Sequence, residues 1–578
     1  MNNLGLLIPE KEVSAWVAET NPKEARAWLE SLPLADSGEA ARDIYQALYT
    51  LNRLELAMQS RLDLMELYKG PVAMVSSVLQ SQLIGLALPL PPEVRKLAEF
   101  IRQLHMEMAI GYKCVIHDLQ ATRRPWGKKS LLVMVTERAL RYLGEVLARS
   151  YQVYMPPAPE VWKEIHALYR YAEQHGRLSH PIEISEENKS TVTISERYLQ
   201  IVLLALCNPY QLPQNECNYV RSFLESRADK ATIEDQVNVA DPVGRFLIDL
   251  SADAPPAPFA QQDQTQGSEH HRVLSTIELA RAVHGYMKRL EQGESGSFLS
   301  LGTEMSNIAC RDVLKRMIKF WGLTPKRVYS RTKTRGLLAL CAGINALHFF
   351  AGGRKPFNPP EAEVEEKPKE LQRASRKVPP KFRNDGNRQP ETLAAAADAQ
   401  ASNVPAPPSW LPEAKFAVPD AFPVDRWQLR DESAEGLLLA REGEVGAQVR
   451  VGDLLGIQAS NDGGTWQAGV VRWIKSPDST QVEMGAERLA PNVTPVAVKP
   501  AANELPGTGR RYTQALLLPA MPVLQRPATL ILTRGIYEPG RSLHLVVGDE
   551  KPKIVRPLKL LERTASFDQI VFTKVDSS

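Results

Sequence analysis

Cysteine is scarce and badly placed for cross-linking. The chain of 578 residues holds five, Cys114, Cys207, Cys217, Cys310 and Cys341, an odd number set far apart with no Cys-x-x-Cys. That opposes a disulfide framework or a zinc finger and fits buried thiols in a reducing compartment. Charge of one sign is missing too: 70 lysines and arginines against 67 acids leave a formal net charge of +3. So small an excess draws neither nucleic acid nor an anionic membrane by bulk electrostatics, and any basic site must be local. Long hydrophobic runs are absent. The most apolar window, 71–90, is interrupted by Ser76, Ser77, Gln80, Ser81 and Gln82, which suits a buried helix better than a membrane span. Residues 1–9 lack the basic start and apolar core of a signal peptide, so a cytoplasmic protein is expected. The ten histidines show no metal-ligand spacing, and no Gly-x-Ser-x-Gly, Walker loop or Gly-rich dinucleotide fingerprint occurs. Neither enzyme chemistry nor a metal is expected.

What is present reads as a multidomain α+β protein. Length allows three or four domains, and 43% hydrophobic with 24% charged residues is ordinary for globular chains. Residues 1–251 read as helix after helix. Ile44, Leu48, Leu51 and Leu54, then Val94, Leu97, Ile101 and Leu104, recur at helical spacing. No clean repeat of about 34 residues emerges, so the expectation is an all-α bundle or a stack of helical hairpins. Residues 252–275 read as a linker and 276–325 as two more helices. After a basic segment and a strand at 326–351, the stretch 352–424 is rich in Pro, Ala and charge without periodicity, a composition that predicts disorder.

Strand-like segments follow. In 427–440 an apolar run enters a turn holding Asp431, Ser433 and Gly436, and a second apolar run leaves it. Asp and Ser side chains can bond their local backbone there, and Gly436 is able to take a positive φ. Segments at 449–457, 466–474 and 481–485 are short, partly alternating and bounded by Gly, Asp, Ser or Pro, as in a small antiparallel barrel or sandwich ending near 497. Residues 498–578 add further strand candidates, either extending that barrel or forming a companion. Upstream, 326–335 carries Lys326, Arg327, Arg331, Lys333 and Arg335 and no acid.

Together these residues resemble a PilZ domain, the bacterial receptor module for cyclic di-GMP. Asp431, Ser433 and Gly436 match the family's Asp/Asn-x-Ser-x-x-Gly turn, and Arg331 with Arg335 matches its Arg-x-x-x-Arg. Arg327 makes the same spacing with Arg331, but the later frame is preferred because a strand follows Arg335 at once. Residues 471–474, followed by Met484 and Gly485, look like the family's later strands. The two motifs stand 96 positions apart, where the family has a few tens at most. The resemblance therefore implies a first strand over 337–350 and an insertion between the first two strands. Such a loop is tolerable because closure entropy grows only logarithmically with length.

The resemblance implies a non-enzymatic receptor with cyclic di-GMP as ligand and no further cofactor. Its ligand-binding residues would be Arg331, Arg335, Asp431, Ser433, Gly436 and Arg327. A guanidinium grips a phosphate or the O6/N7 edge of guanine at two points, which lysine cannot copy. Asp431 can accept from guanine N1–H and N2–H₂, Ser433 can bond a base or phosphate, and Gly436 permits close approach. The ligand would change how the helical scaffold meets protein partners. A protein–protein adaptor with a degenerate barrel that binds no nucleotide is the alternative. Nucleic-acid binding through 326–335 competes for the same arginines but would ignore the turn, and no such partner is expected.

Overall fold

The computed structural model describes residues 4–12, 18–33, 36–121, 128–185, 190–235, 241–259, 268–299, 306–322, 330–360, 422–443, 448–459, 464–478, 480–501, 511–522 and 525–575.

Helices α1 (Pro22–Ser31), α2 (Ser37–Arg53), α3 (Met58–Ser81), α4 (Pro92–Ala121), α5 (Lys128–Gln152) and α6 (Val161–Gln174) build the N-terminal domain. A hairpin of β1 (Ile182–Ser185) and β2 (Ser190–Val192) then leads into α7 (Ile194–Leu206) and α8 (Gln214–Glu225). Starts are fixed by caps. Asp36 accepts from the backbone of Gly38 and Glu39 at 3.1 and 3.0 Å, and Thr193 with Glu196 forms a capping box on α7. Helical spacing buries Ile101, Leu104, Met108, Tyr112 and Val115 along α4. The ion pair of Lys113 and Glu164 lies wholly inside: Lys113 Nζ meets the Glu164 carboxylate at 2.7 and 2.9 Å, both side chains at most 2% exposed.

The 71–90 window departs from its expected burial. Pro71 sits inside α3, and Met74, Val78 and Ile84 stand 42, 47 and 44% exposed. An uncharged sequence does not reveal which of its faces meets the core. No helix among the described residues is long and apolar enough to cross a membrane.

The helical stretch is not all-α, and 252–275 is not only a linker. Strands β3 (Thr232–Glu234), β4 (Arg245–Asp249), β5 (Ala257–Pro258) and β6 (His271–Ser275) form a sheet in the order β3-β6-β4-β5. Strands of two to five residues are too short for alternation to register in the sequence. Helices α9 (Ile277–Glu291) and α10 (Asn307–Gly322) follow, and α10 docks on the helical domain. Buried Trp321 donates Nε1–H to the Leu203 carbonyl at 3.1 Å, and Arg316 Nε pairs with Glu216 at 2.7 Å.

Six antiparallel strands then close a barrel: β7 (Thr332–Ala342), β8 (Asp425–Glu432), β9 (Gly436–Glu442), β10 (Leu454–Ala459), β11 (Gln467–Lys475) and β12 (Gln481–Ala490). Their cyclic order is β7-β8-β9-β12-β11-β10. The first strand begins ahead of the expected 337, so that Arg335 lies within it, and ends at Ala342, well short of 350. Gly343, at φ +92°, turns the chain into α11 (Ile344–Ala351), a reversal that the unbroken apolar run conceals. A second closed barrel comprises β13 (Thr494–Pro500), β14 (Thr513–Leu518), β15 (Thr529–Thr533), β16 (Leu543–Val547), β17 (Lys553–Arg563) and β18 (Phe567–Lys574). The boundary expected at 497/498 cuts through β13, because Pro495 and Pro500 hide a strand from pattern reading. The disorder expected for 352–424 falls mostly on 361–421, outside the described residues.

Helix α11 lies in the seam between the barrels. Leu347, Phe349 and Phe350 share a core with Leu454 and Val470 of the first barrel and Leu516 and Ile531 of the second. On its other side the first barrel meets the helical domain. Leu88 and Val449 exchange backbone hydrogen bonds of 2.9 Å, and Arg95 donates to the carbonyls of Ser476 and Pro477 at 3.3 and 2.9 Å.

Candidate functional site

Strands β7 and β8 run side by side, so the two motifs become neighbours despite the insertion. Thr332 pairs with Glu432 and Lys333 with Asp431. Arg331, one residue ahead of β7, places Nη1 3.2 Å from each carboxylate oxygen of Asp431, with a hydrogen bond to Oδ2. Oδ1 is shielded from solvent and has no hydrogen-bond partner. A buried acceptor left in this state is costly unless something else donates to it. Arg335 sits where the ladder slips between Lys333 and Gly336, and its side chain is exposed. The slip inserts an extra residue, and such bulges re-aim side chains.

The turn joins β8 to β9. Ser433 N donates to the Gly436 carbonyl at 2.8 Å, and Gly436 N returns a bond to Ser433 Oγ at 3.0 Å. The positive φ foreseen for Gly436 is not adopted. Ladder pairing with Glu487 holds Gly436 in extended strand, where any residue can stand. Space is its contribution: a Cβ there would lie 3.3 Å from Ser433 Oγ.

Two arginines that sequence spacing leaves unmarked hold this turn, largely through Glu432 and Glu435. Arg488 donates its backbone N–H to the Glu435 carbonyl at 2.7 Å, Nη1 to the Ser433 carbonyl at 3.1 Å and Nη2 to the Glu432 carboxylate at 2.8 Å. Glu432 also accepts from Thr334 Oγ1 in the slipped segment at 3.3 Å. From the second barrel, Arg526 Nη2 reaches Glu435 at 2.5 Å. Nothing in the sequence pairs these residues, which lie 56 and 91 positions apart.

Arg331, Asp431, Ser433 and Gly436 are thus gathered at one end of the β7-β8-β9 ladder, with Arg335 four residues along. Arg327 lies outside the described residues. Two guanidiniums, a carboxylate with an unmet acceptor and a hydroxyl suit a ligand with anionic groups and N–H edges. Among the described residues no group of three or more His, Cys, Asp or Glu is placed to hold a metal ion.

A closed six-stranded barrel with Arg331 just ahead of its first strand, Arg335 within that strand and the Asp-x-Ser-x-x-Gly turn before its third defines a PilZ-domain protein. Comparison with known proteins agrees, domain by domain. Residues 23–238 match the family described as "Cyclic-di-GMP receptor FimW, N-terminal domain", 245–495 match "Cyclic-di-GMP receptor FimW, middle PilZ domain", and 496–575 match "FimW C-terminal beta-barrel domain". The chain belongs to this PilZ receptor family, with an N-terminal helical domain and a second barrel. It is similar to the cyclic-di-GMP receptor FimW of Pseudomonas aeruginosa, at 28% identity over 580 residues covering 96% of this chain and 91% of that protein. No solved structure matches.

Proposed function

We propose that this chain is a receptor for cyclic di-GMP, and that Arg331, Arg335, Asp431, Ser433 and Gly436 bind it. One observation carries the reading: residues 100 positions apart in sequence, Arg331 and Asp431, stand in contact across β7 and β8. Arg331 and Arg335 take phosphate or the guanine O6/N7 edge, and Asp431, with its unmet acceptor, takes guanine N–H groups. Arg331 follows α10, which is anchored on the helical domain. A ligand held by Arg331 shifts the arrangement by its differential affinity for two states. In this reading the helical domain carries the signal to a protein partner.

The test is calorimetric titration of the full chain with cyclic di-GMP, beside Arg331→Ala and Ser433→Ala, with GTP and an oligonucleotide as controls. Saturable binding lost in both variants supports the receptor. Absence of heat and of any thermal shift sinks it and leaves the adaptor reading.

A further inference from the structure

The turn that carries Asp431, Ser433 and Gly436 has two further side chains, Glu432 and Glu435, at positions the motif leaves unspecified. Both are engaged from outside the turn. Glu432 stands between Arg488 and Thr334, whose neighbour is Arg335. Glu435 receives Arg526 from the second barrel. Arg526 lies just before β15, beside the antiparallel bridge between Met521 and Arg526 that closes its own loop. An unbroken chain of contacts runs from the second barrel through Arg526, Glu435, the Arg488 backbone and side chain, Glu432 and Thr334 to the slipped segment of β7.

We infer that Arg488 and Arg526 are positioning residues of the nucleotide site, so that the second barrel sets the affinity of the first. The inference rests on the receptor reading above. Neither arginine needs to touch the ligand. Arg488 holds the turn to β12 by three bonds, and one of the groups it holds, Glu432, also takes Thr334 beside Arg335, so a residue from β12 bears on the spacing between the two motifs. Arg526 fixes the far corner of the same turn from another domain. The carboxylates and guanidiniums of both pairs remain 29–34% exposed, so each pair on its own is a modest contributor to overall stability. Their leverage is geometric: a donor displaced by an ångström loses most of a directional bond.

The experiment is titration of the full chain with cyclic di-GMP, alongside ligand-free thermal unfolding. The variants are Glu435→Ala, Arg526→Ala, the two together, the swap Glu435→Arg with Arg526→Glu, Arg488→Ala and Arg488→Lys. Each single deletion at the Glu435–Arg526 pair is expected to weaken binding by about two- to fivefold, as an exposed ion pair allows. Removing both should cost no more than removing one. Arg488→Ala should weaken binding by about tenfold or more while lysine restores only part, since its single nitrogen lacks the fork that meets Ser433 and Glu432 with separate Nη atoms. The swap should return affinity to within about twofold of the parent. Unfolding midpoints that stay put while affinity moves would separate positioning from simple loss of fold. If the parent binds and every one of these variants binds equally well, the inference is overturned and the receptor reading stands. A loss that the swap does not repair also overturns the link to the second barrel. A parent that takes up no cyclic di-GMP sinks the receptor reading and this inference together.

Discussion

Arg331 and Asp431 already satisfy part of each other's charge across β7 and β8, at 3.2 Å. In the receptor reading proposed above, a nucleotide entering this site draws on the same fork and the same carboxylate. Keeping the charge is therefore not enough. Arg331→Lys is expected to bind cyclic di-GMP about tenfold or more weakly, because a charge-assisted two-point bond is worth about 1.5–3 kcal/mol and an ammonium offers no planar fork. Calorimetry on the variant checks this; parent-like affinity would reduce Arg331 to a diffuse charge.

Gly436 separates shape from backbone freedom. Its φ is an ordinary one, so alanine there should change stability by less than about 1 kcal/mol. The added Cβ crowds Ser433 Oγ and the turn face, so ligand affinity should fall. Chemical denaturation and titration of Gly436→Ala, done together, give both readings.

Trp473 covers Gly485 on the neighbouring strand so closely that a Cβ at 485 would lie 2.0 Å from the indole Nε1. Gly485→Ala should destabilise the first barrel by about 1–3 kcal/mol through overpacking. Trp473→Ala placed in the same chain should make the second change nearly free, which a double-mutant cycle in denaturant would record.

Lys113 and Glu164 are an internal pair with no water to fall back on. Glu164→Ala strands a buried ammonium and is expected to cost about 3–5 kcal/mol. Replacing both with Met and Leu should recover much of that. Equal loss in single and double variants would mean that the Leu7 N–H bond to Glu164, at 2.7 Å, matters more than the pair.

His105 is buried in the helical domain, and desolvation holds its pKa down at about 3 against an ordinary 6.5. The unfolded chain takes up the proton and the folded one refuses it. Stability contributed here is complete above pH 6.5 and is lost as pH falls toward 3. Between pH 6.5 and 5 the loss should reach about 2 kcal/mol, at roughly 1.4 kcal/mol per unit. His105→Leu should flatten that part of the pH–stability profile relative to the parent.

Much of this architecture could be read from residue order. The helices of the N-terminal domain announce themselves by apolar spacing, as Ile101, Leu104 and Met108 do in α4. The barrels do so by short runs between Gly, Asp and Pro. What escaped had physical causes. Strand β13 hid behind Pro495 and Pro500, and the sheet of β3 to β6 consists of strands too short to alternate. Helix α11 reads as strand in the sequence because a buried apolar run has no visible period. At the site, Arg331, Asp431 and Ser433 were legible through their motifs. Arg488 and Arg526 were not, since an arginine's partner is chosen by the fold and leaves no local trace.

Phe349, near the end of α11, lies against Phe422, just ahead of β8, with ring centroids 5.5 Å apart. The two ends of the long insertion are therefore clipped to one another at the seam between barrels. Length in that stretch is thermodynamically inexpensive: by loop-closure entropy, a doubling costs only about 0.6 kcal/mol. The protein thus holds a site where chain can be gained or lost without re-threading either barrel. A tether of new reach or composition can be grafted there while the receptor core keeps its form.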